Sequence, residues 1–162
     1  MLDNKAKGLK MNIAKAIYYS SVSPENISKL ILSIAHGFED TQIRKLNFFD
    51  LFIIIPYYSY IPAQKELERI RFNASSSFQT KIERNPDTFS NFNFRYEKSI
   101  NYIKLGISYC ISEGSIELDD EMNINLISSK DKDKIIFNMS KVFSTKETSA
   151  LYNFFKVDIN AI

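Results

Sequence analysis

Apolar positions from Ile27 onward fall at helical spacing: Ile27, Leu30, Ile31, Ile34, Ala35 and Phe38 make one stripe. Ser23 and Pro24 supply its start, a hydroxyl N-cap followed by a proline whose fixed φ suits the first helical position. His36 lies roughly half a turn off the stripe and is expected to face solvent. Residues 46–55 predict a second, almost wholly buried helix ending near Pro56, although Ile53–Ile55 would also suit a strand. Pro62 opens a charged piece, PAQKELERIR, that reads as a solvated helix. Serines 75–77 offer N-caps for a short helix. That helix should stop before Asn85-Pro86, because the residue preceding a proline is pushed out of the α region.

Between Asp87 and Ser112 the pattern predicts two helices with a bend near Ser99–Asn101. In the second, Ile100, Ile103, Ile107, Cys110 and Ile111 share one face, and Asn101, Lys104, Leu105, Ser108 and Ser112 the other. Gly114 stands where a helix C-cap glycine belongs. The period then changes to two. Ile116 and Leu118 point one way, Glu117 and Asp119 the other, and Ile124 and Leu126 repeat the alternation after an Asp-Asp-Glu-Met turn: a β-hairpin. A helical pair closes the chain, with Ile135, Ile136, Met139, Val142 and Phe143 on one stripe. Ser144 and Glu147 have capping-box spacing for the last helix, through Leu151, Phe154 and Phe155. The expected fold class is mainly α with one β-hairpin, a winged-helix-like single domain over residues 23–162 behind a basic N-terminal segment, 1–22.

A length of 162 residues suits one domain, and 13 Phe and 9 Tyr are enough to fill its core. The single cysteine, Cys110, excludes an internal disulfide. A net charge of +2 is too small to imply a phosphate-rich partner. The N-terminus has lysines but no uninterrupted apolar stretch of signal-peptide kind. The most apolar run, LNFFDLFIII, is too short to cross a bilayer. A cytoplasmic protein with no membrane partner is expected.

Little catalytic chemistry can be assembled. With one His and one Cys, a nucleophile–base pair would require Cys110 and His36 to meet, and Cys/His zinc sites are unavailable. The glycines are scattered, so there is neither a phosphate loop nor a dinucleotide fingerprint. Pro86-Asp87 is the first half of a nuclease-type motif, but no Asp/Glu-x-Lys triplet follows it; Asp3-Asn4-Lys5 precedes it, on a tail. Asp119, Asp120 and Glu121 read as a solvated acidic tip. No catalytic residue, metal or cofactor is expected, and the protein is read as not an enzyme.

Charge is unevenly placed. Residues 61–105 hold eight basic and five acidic side chains, net +3; residues 106–133 hold two basic and seven acidic, net −5. A winged-helix DNA reader needs cations on its recognition helix and wing. Here that helix shows solvent only Lys104, and the wing carries Glu113, Glu117, Asp119, Asp120 and Glu121. The wing, with Glu117, Asp119, Asp120 and Glu121, fits a surface for a protein partner with a basic patch. Arg69, Arg71, Lys81, Arg84, Arg95 and Lys98 are candidates to face DNA held by another subunit.

The stretch FQTKIERNPDTFSNFNFRYEKSINYIKLGISYCISEGSIEL resembles the central block of the middle components of bacterial three-component ABC systems. Asn85-Pro86, Phe92, Arg95 and Gly114 stand at the matching positions. Upstream, FDLFIIIPYYSYIPAQKELERI is similar to the family's apolar segment and short charged helix. Downstream, STKETSALYNFFKVDI looks like its closing helix. The resemblance spans about Pro24 to Val157. It departs at Gly106, where the family often has Ala, and at Asn101, where proline is common.

The resemblance implies a small non-enzymatic accessory subunit, of the kind found in Lamassu-type anti-phage defence. Such a subunit bridges a coiled-coil ATPase of the SMC/Rad50 type and a nuclease-like effector, restrains the effector, and meets DNA only through the complex. In that setting Tyr57, Tyr58, Tyr60 and Tyr102 would be interface anchors, since tyrosine is enriched in buried interface centres. Two other classes stay open: a winged-helix transcription regulator that binds DNA by itself, and a stand-alone phage or plasmid protein with an unrelated interaction role.

Overall fold

A computed structural model of the chain describes residues 22–68, 77–128 and 133–162. All but the last residue of the N-terminal segment 1–22 therefore lies outside the described residues, as do Arg69, Arg71, Ser75 and Ser76. The first helix, α1 (Pro24–Thr41), begins as its sequence dictates: Ser23 Oγ accepts from Asn26 N–H at 3.3 Å and Pro24 follows. It ends where Gln42 turns left-handed, with φ 52°.

Residues 46–55 do not form one helix. Leu46 and Asn47 run extended, and Asn47 then caps a 3-10 turn, Phe48–Asp50. Asn47 Oδ1 accepts from Phe49 N–H, and Asp50 Oδ2 accepts back from Asn47 N–H, a closed capping box. Helix α2 (Leu51–Tyr58) follows, buried on all sides as far as Tyr57. It ends near Pro56 as expected, running through the proline to Tyr58. The turn is held by Ser59 N–H on Ile55 O at 2.9 Å, and the Pro56 carbonyl accepts from Ser59 Oγ at 2.8 Å and Arg95 Nε at 3.1 Å.

Helix α3 (Ile61–Glu68) is the charged piece. A short π-helical turn, Gln79–Glu83, opens at Ser77, which exchanges hydrogen bonds with Thr80, and stops before Asn85-Pro86. The predicted bend at Ser99–Asn101 is absent: a 3-10 turn, Pro86–Phe89, leads into one continuous helix, α4 (Phe92–Ser112). Nothing there competes with the helix, since Ser99 Oγ donates back to Tyr96 O at 2.8 Å and Asn101 is exposed. Its end is a Schellman motif: Gly114 turns left-handed at φ 65°, Gly114 N–H donates to Ile111 O, and Ser115 N–H donates to Cys110 O.

Strands β1 (Ile116–Leu118) and β2 (Ile124–Leu126) pair antiparallel, with Leu118 opposite Ile124. Met122 N–H closes the Asp119–Met122 turn on Asp119 O at 3.0 Å. Residues 46–48 lie along β2: Ile124 N–H donates to Leu46 O, and Phe48 N–H to Met122 O, each at 2.8 Å. Helix α5 (Lys134–Phe143) is capped by Asp133, whose Oδ1 accepts from Ile135 and Ile136 N–H. Helix α6 (Thr148–Phe155) is followed by a 3-10 turn, Ile159–Ala161.

The predicted Ser144–Glu147 box does not form. Ser144 closes α5 instead, its Oγ donating to Lys141 O at 2.7 Å and pairing with Thr41 Oγ1 at 3.0 Å, while Glu147 makes no side-chain cap.

The core is one cluster in which α1 packs on both α4 and α5, with α2 on α4. Close approach sets two glycines. A Cβ on Gly106 would stand 2.4 Å from Ile27 Cγ2, and one on Gly37 2.6 Å from the Phe137 carbonyl oxygen. Gly106, weak as a helix former, is there because α1 leaves no room for alanine. His36 is not solvent-facing as expected. Only 15% of its side chain is exposed, and its buried Nε2 has no hydrogen-bond partner among the described residues.

Candidate functional site

The order α1, segment 46–48, α2 with α3, α4 and hairpin is compatible with a winged-helix-like domain, α4 occupying the recognition-helix position and β1–β2 the wing. The exposed face of α4 carries Phe94, Glu97, Lys98, Asn101, Lys104, Leu105, Ser108 and Ser112. Ile111, expected on the inner face, is 45% exposed and belongs to this outer one. Lys104 donates to the Ile162 carbonyl.

On the wing, the four acidic residues divide by role. Glu117 is exposed at the centre of β1, and Asp120 and Glu121 are exposed at the tip. Asp119 builds the turn. Its Oδ1 accepts from Asn123 N–H at 2.8 Å and Glu121 N–H at 3.0 Å, and its Oδ2 from Asn123 Nδ2 at 3.1 Å and Lys45 Nζ at 3.2 Å. These donors, the Asn123 backbone first, hold its carboxyl down at about 2. The wing is tied to the body by Asn47, whose Nδ2 donates to Glu121 O at 3.0 Å.

Next to Lys45, the Arg44 side chain turns inward. Its guanidinium forks onto Asp50, Nη1 on Oδ2 at 2.6 Å and Nη2 on Oδ1 at 3.1 Å, while Nε donates to Lys146 O at 2.8 Å. Asp50 is wholly buried and Arg44 12% exposed. This pair fastens the segment after α1 to the α5–α6 connection and so positions residues 46–48 under the wing.

The four candidate tyrosines do not share one setting. Tyr57 is fully buried; its hydroxyl donates to Thr88 Oγ1 at 2.8 Å, and burial pushes it up to about 12. Tyr58 is half-buried, with its hydroxyl 3.5 Å from Asp133 Oδ2. Tyr60 lies under the Arg95 guanidinium, whose Cζ stands 4.3 Å from the Tyr60 ring centroid, and Tyr102 is half-buried against the core. Tyr57 is therefore covered by its own chain, and only the other three reach the surface.

Among the candidate DNA-facing residues, Arg95 is turned inward: Nε donates to Pro56 O, Nη1 to Ser90 O, and the buried Nη2 has no partner among the described residues. Lys81 is half-buried, whereas Arg84 and Lys98 are exposed. Cys110 and His36 do not meet. Cys110 Sγ lies 3.9 Å from Ser28 O, about two helical turns before His36, and burial pushes the thiol up to about 11. Among the described residues no group of three His, Cys, Asp or Glu is placed to hold a metal ion, and no helix is long and apolar enough to cross a membrane.

Two features escaped the sequence reading. The Asn47-x-x-Asp50 box carried its own local signal. The Arg44–Asp50 pair had none, because it needs α6 to be in place.

The class that the fold defines is a mainly helical single domain with one antiparallel hairpin. The family of middle components of three-component ABC systems matches it over residues 11–156, by the model described as "ABC-three component (ABC-3C) system Middle Component 3". The chain belongs to that family. No curated protein and no solved structure matches it.

Proposed function

We propose that this middle component is a non-catalytic, cytoplasmic accessory subunit of a Lamassu-type anti-phage complex. It docks an SMC/Rad50-like ATPase and positions or restrains a nuclease-like effector, meeting duplex DNA only within the assembly. Family membership over residues 11–156 supports the accessory role. The observation that carries the docking surface is the wing itself, where Glu117, Asp120 and Glu121 stand exposed. Against a phosphate backbone each of these carboxylates would add repulsion; against a basic protein patch each adds attraction and orientation. Tyr58, Tyr60 and Tyr102 are its candidate anchors.

The test is co-expression of the tagged chain with its neighbouring genes, followed by native mass spectrometry. The expected result is recovery of a large ATPase and a second subunit. A chain that emerges alone, or as a homodimer that shifts duplex DNA with steep salt dependence, contradicts this reading. The second outcome would favour a winged-helix regulator, the alternative suggested by the placing of α4 beside the hairpin.

A further inference from the structure

At the N-terminal end of α4, away from the wing, a groove of about 500 Å³ lies against α6. Its lining includes Phe89, Phe94 and Phe154, together with Asn91, Asn93 and Lys156. Phe89 and Phe154 meet edge to face at 5.2 Å and are half-buried, so they form a fixed wall. Phe94 is different: 64% of it is exposed, the largest exposure among the described large apolar residues. The core makes no use of that ring. Lys98 stands one turn along α4 with Nζ 5.7 Å from its centroid.

The chemistry of the groove narrows what it can hold. No carboxylate lines it, and its one charged lining residue is Lys156. Outside the lining, Lys98 and Glu97 share the exposed face of α4 with Phe94 and offset each other, so the charge of the lining itself, Lys156, favours an anion over an arginine or lysine from a protein partner. Among the described residues the Asn91 and Asn93 amides have no hydrogen-bond partner, so each offers one donor group and one acceptor to a planar polar edge. A flat aromatic face, a hydrogen-bonding edge and an attached negative charge together describe a nucleotide whose base is unstacked. Bases inside a duplex have their faces covered by their neighbours, whereas a single strand offers them to aromatic side chains.

We propose that this groove binds bases of a single-stranded nucleic acid, Phe94 providing the stacking face, Asn91 and Asn93 meeting base edges, and Lys98 and Lys156 meeting the flanking phosphates. The site is separate from the acidic wing, so a single strand and a wing-bound subunit can be held at once. It also stands independently of the accessory role.

The test is fluorescence anisotropy of a labelled oligothymidylate of about 12 nucleotides titrated with the full chain at low salt. The expected result is saturable binding that weakens about tenfold in Phe94→Ala. Phe94→Trp should preserve it, Lys156→Glu should weaken it and flatten its salt dependence, and a blunt duplex of matching length should compete poorly. Phe94 is exposed, so its variants keep the fold; unchanged circular dichroism checks this. Absence of saturable binding by the wild-type chain overturns the proposal, as does binding indifferent to Phe94→Ala. Equal competition by duplex would mean a phosphate-only surface and overturns it too. If Phe94→Ala instead removes a co-purifying subunit while no strand is bound, the groove is a protein seat and the proposal fails.

Discussion

Arg44 and Lys45 are adjacent in the chain, and each meets a carboxylate, but on opposite sides of the surface. Arg44 forks onto the fully buried Asp50, with further bonds to backbone carbonyls. Lys45 reaches Asp119 across solvent, with its own side chain 65% exposed. The inner pair is architecture: it ties the segment after α1 to the α5–α6 connection and sets residues 46–48 beside β2. The outer pair trims one acid of the wing and leaves Glu117, Asp120 and Glu121 facing outward. A sequence count of charges weighs the two pairs alike. Burial separates them, because an unpaired ion inside is costly and one outside is not.

The sharpest way to break this contrast is Asp50→Ala, which leaves the Arg44 guanidinium buried and uncompensated. The expected loss is about 3–5 kcal/mol in urea denaturation, with part of it recovered in the double variant Arg44→Met/Asp50→Leu. Gly106→Ala probes the interior by shape instead of charge. Its methyl would enter the space of Ile27, and about 1–3 kcal/mol of destabilisation is expected, relieved in part by Ile27→Ala, which removes the Cγ2 methyl that it would meet first.

On the surface side, Asp119→Asn should loosen the turn without unfolding the domain. Because the native carboxyl titrates at about 2, below its ordinary value near ~3.9, its contribution is complete above that ordinary value. It is lost as pH falls between the two values. The variant should lack that acid-limb dependence, as read from wing amide shifts. Lys45→Ala should have the smallest effect, a minor drop in Tm that disappears in high salt.

Legibility followed the range of the interactions. Ser23-Pro24, Gly114 and the alternation of Ile116, Leu118, Ile124 and Leu126 are local signals, and each formed as its spacing predicts. Two capping boxes show the limit. Asn47 and Asp50 have the required spacing, and so do Ser144 and Glu147, yet only the first closes. The Ser144 hydroxyl is taken by Thr41 and the Lys141 carbonyl, partners brought by α1 and α5, so tertiary structure overrides the local preference. Pro56 inside α2 has the same cause: burial holds a helix through a position that ends it elsewhere. The acidity of the wing was readable from composition. Asp119's internal role was not, since only the folded hairpin brings Asn123 and Lys45 to it. The Phe94 groove needed α6 beside α4 and left no local trace.

The central claim is that the exposed wing acids dock a partner while the buried pair only builds the frame. Its most direct test is recovery of the complex from cells co-expressing the neighbouring genes with the tagged triple variant Glu117→Lys/Asp120→Lys/Glu121→Lys, whose Tm is expected to match the wild-type chain. Loss of the co-purifying subunits at unchanged Tm is the predicted result. Full recovery of the complex with that reversed wing would contradict the account and move the docking surface elsewhere on the domain.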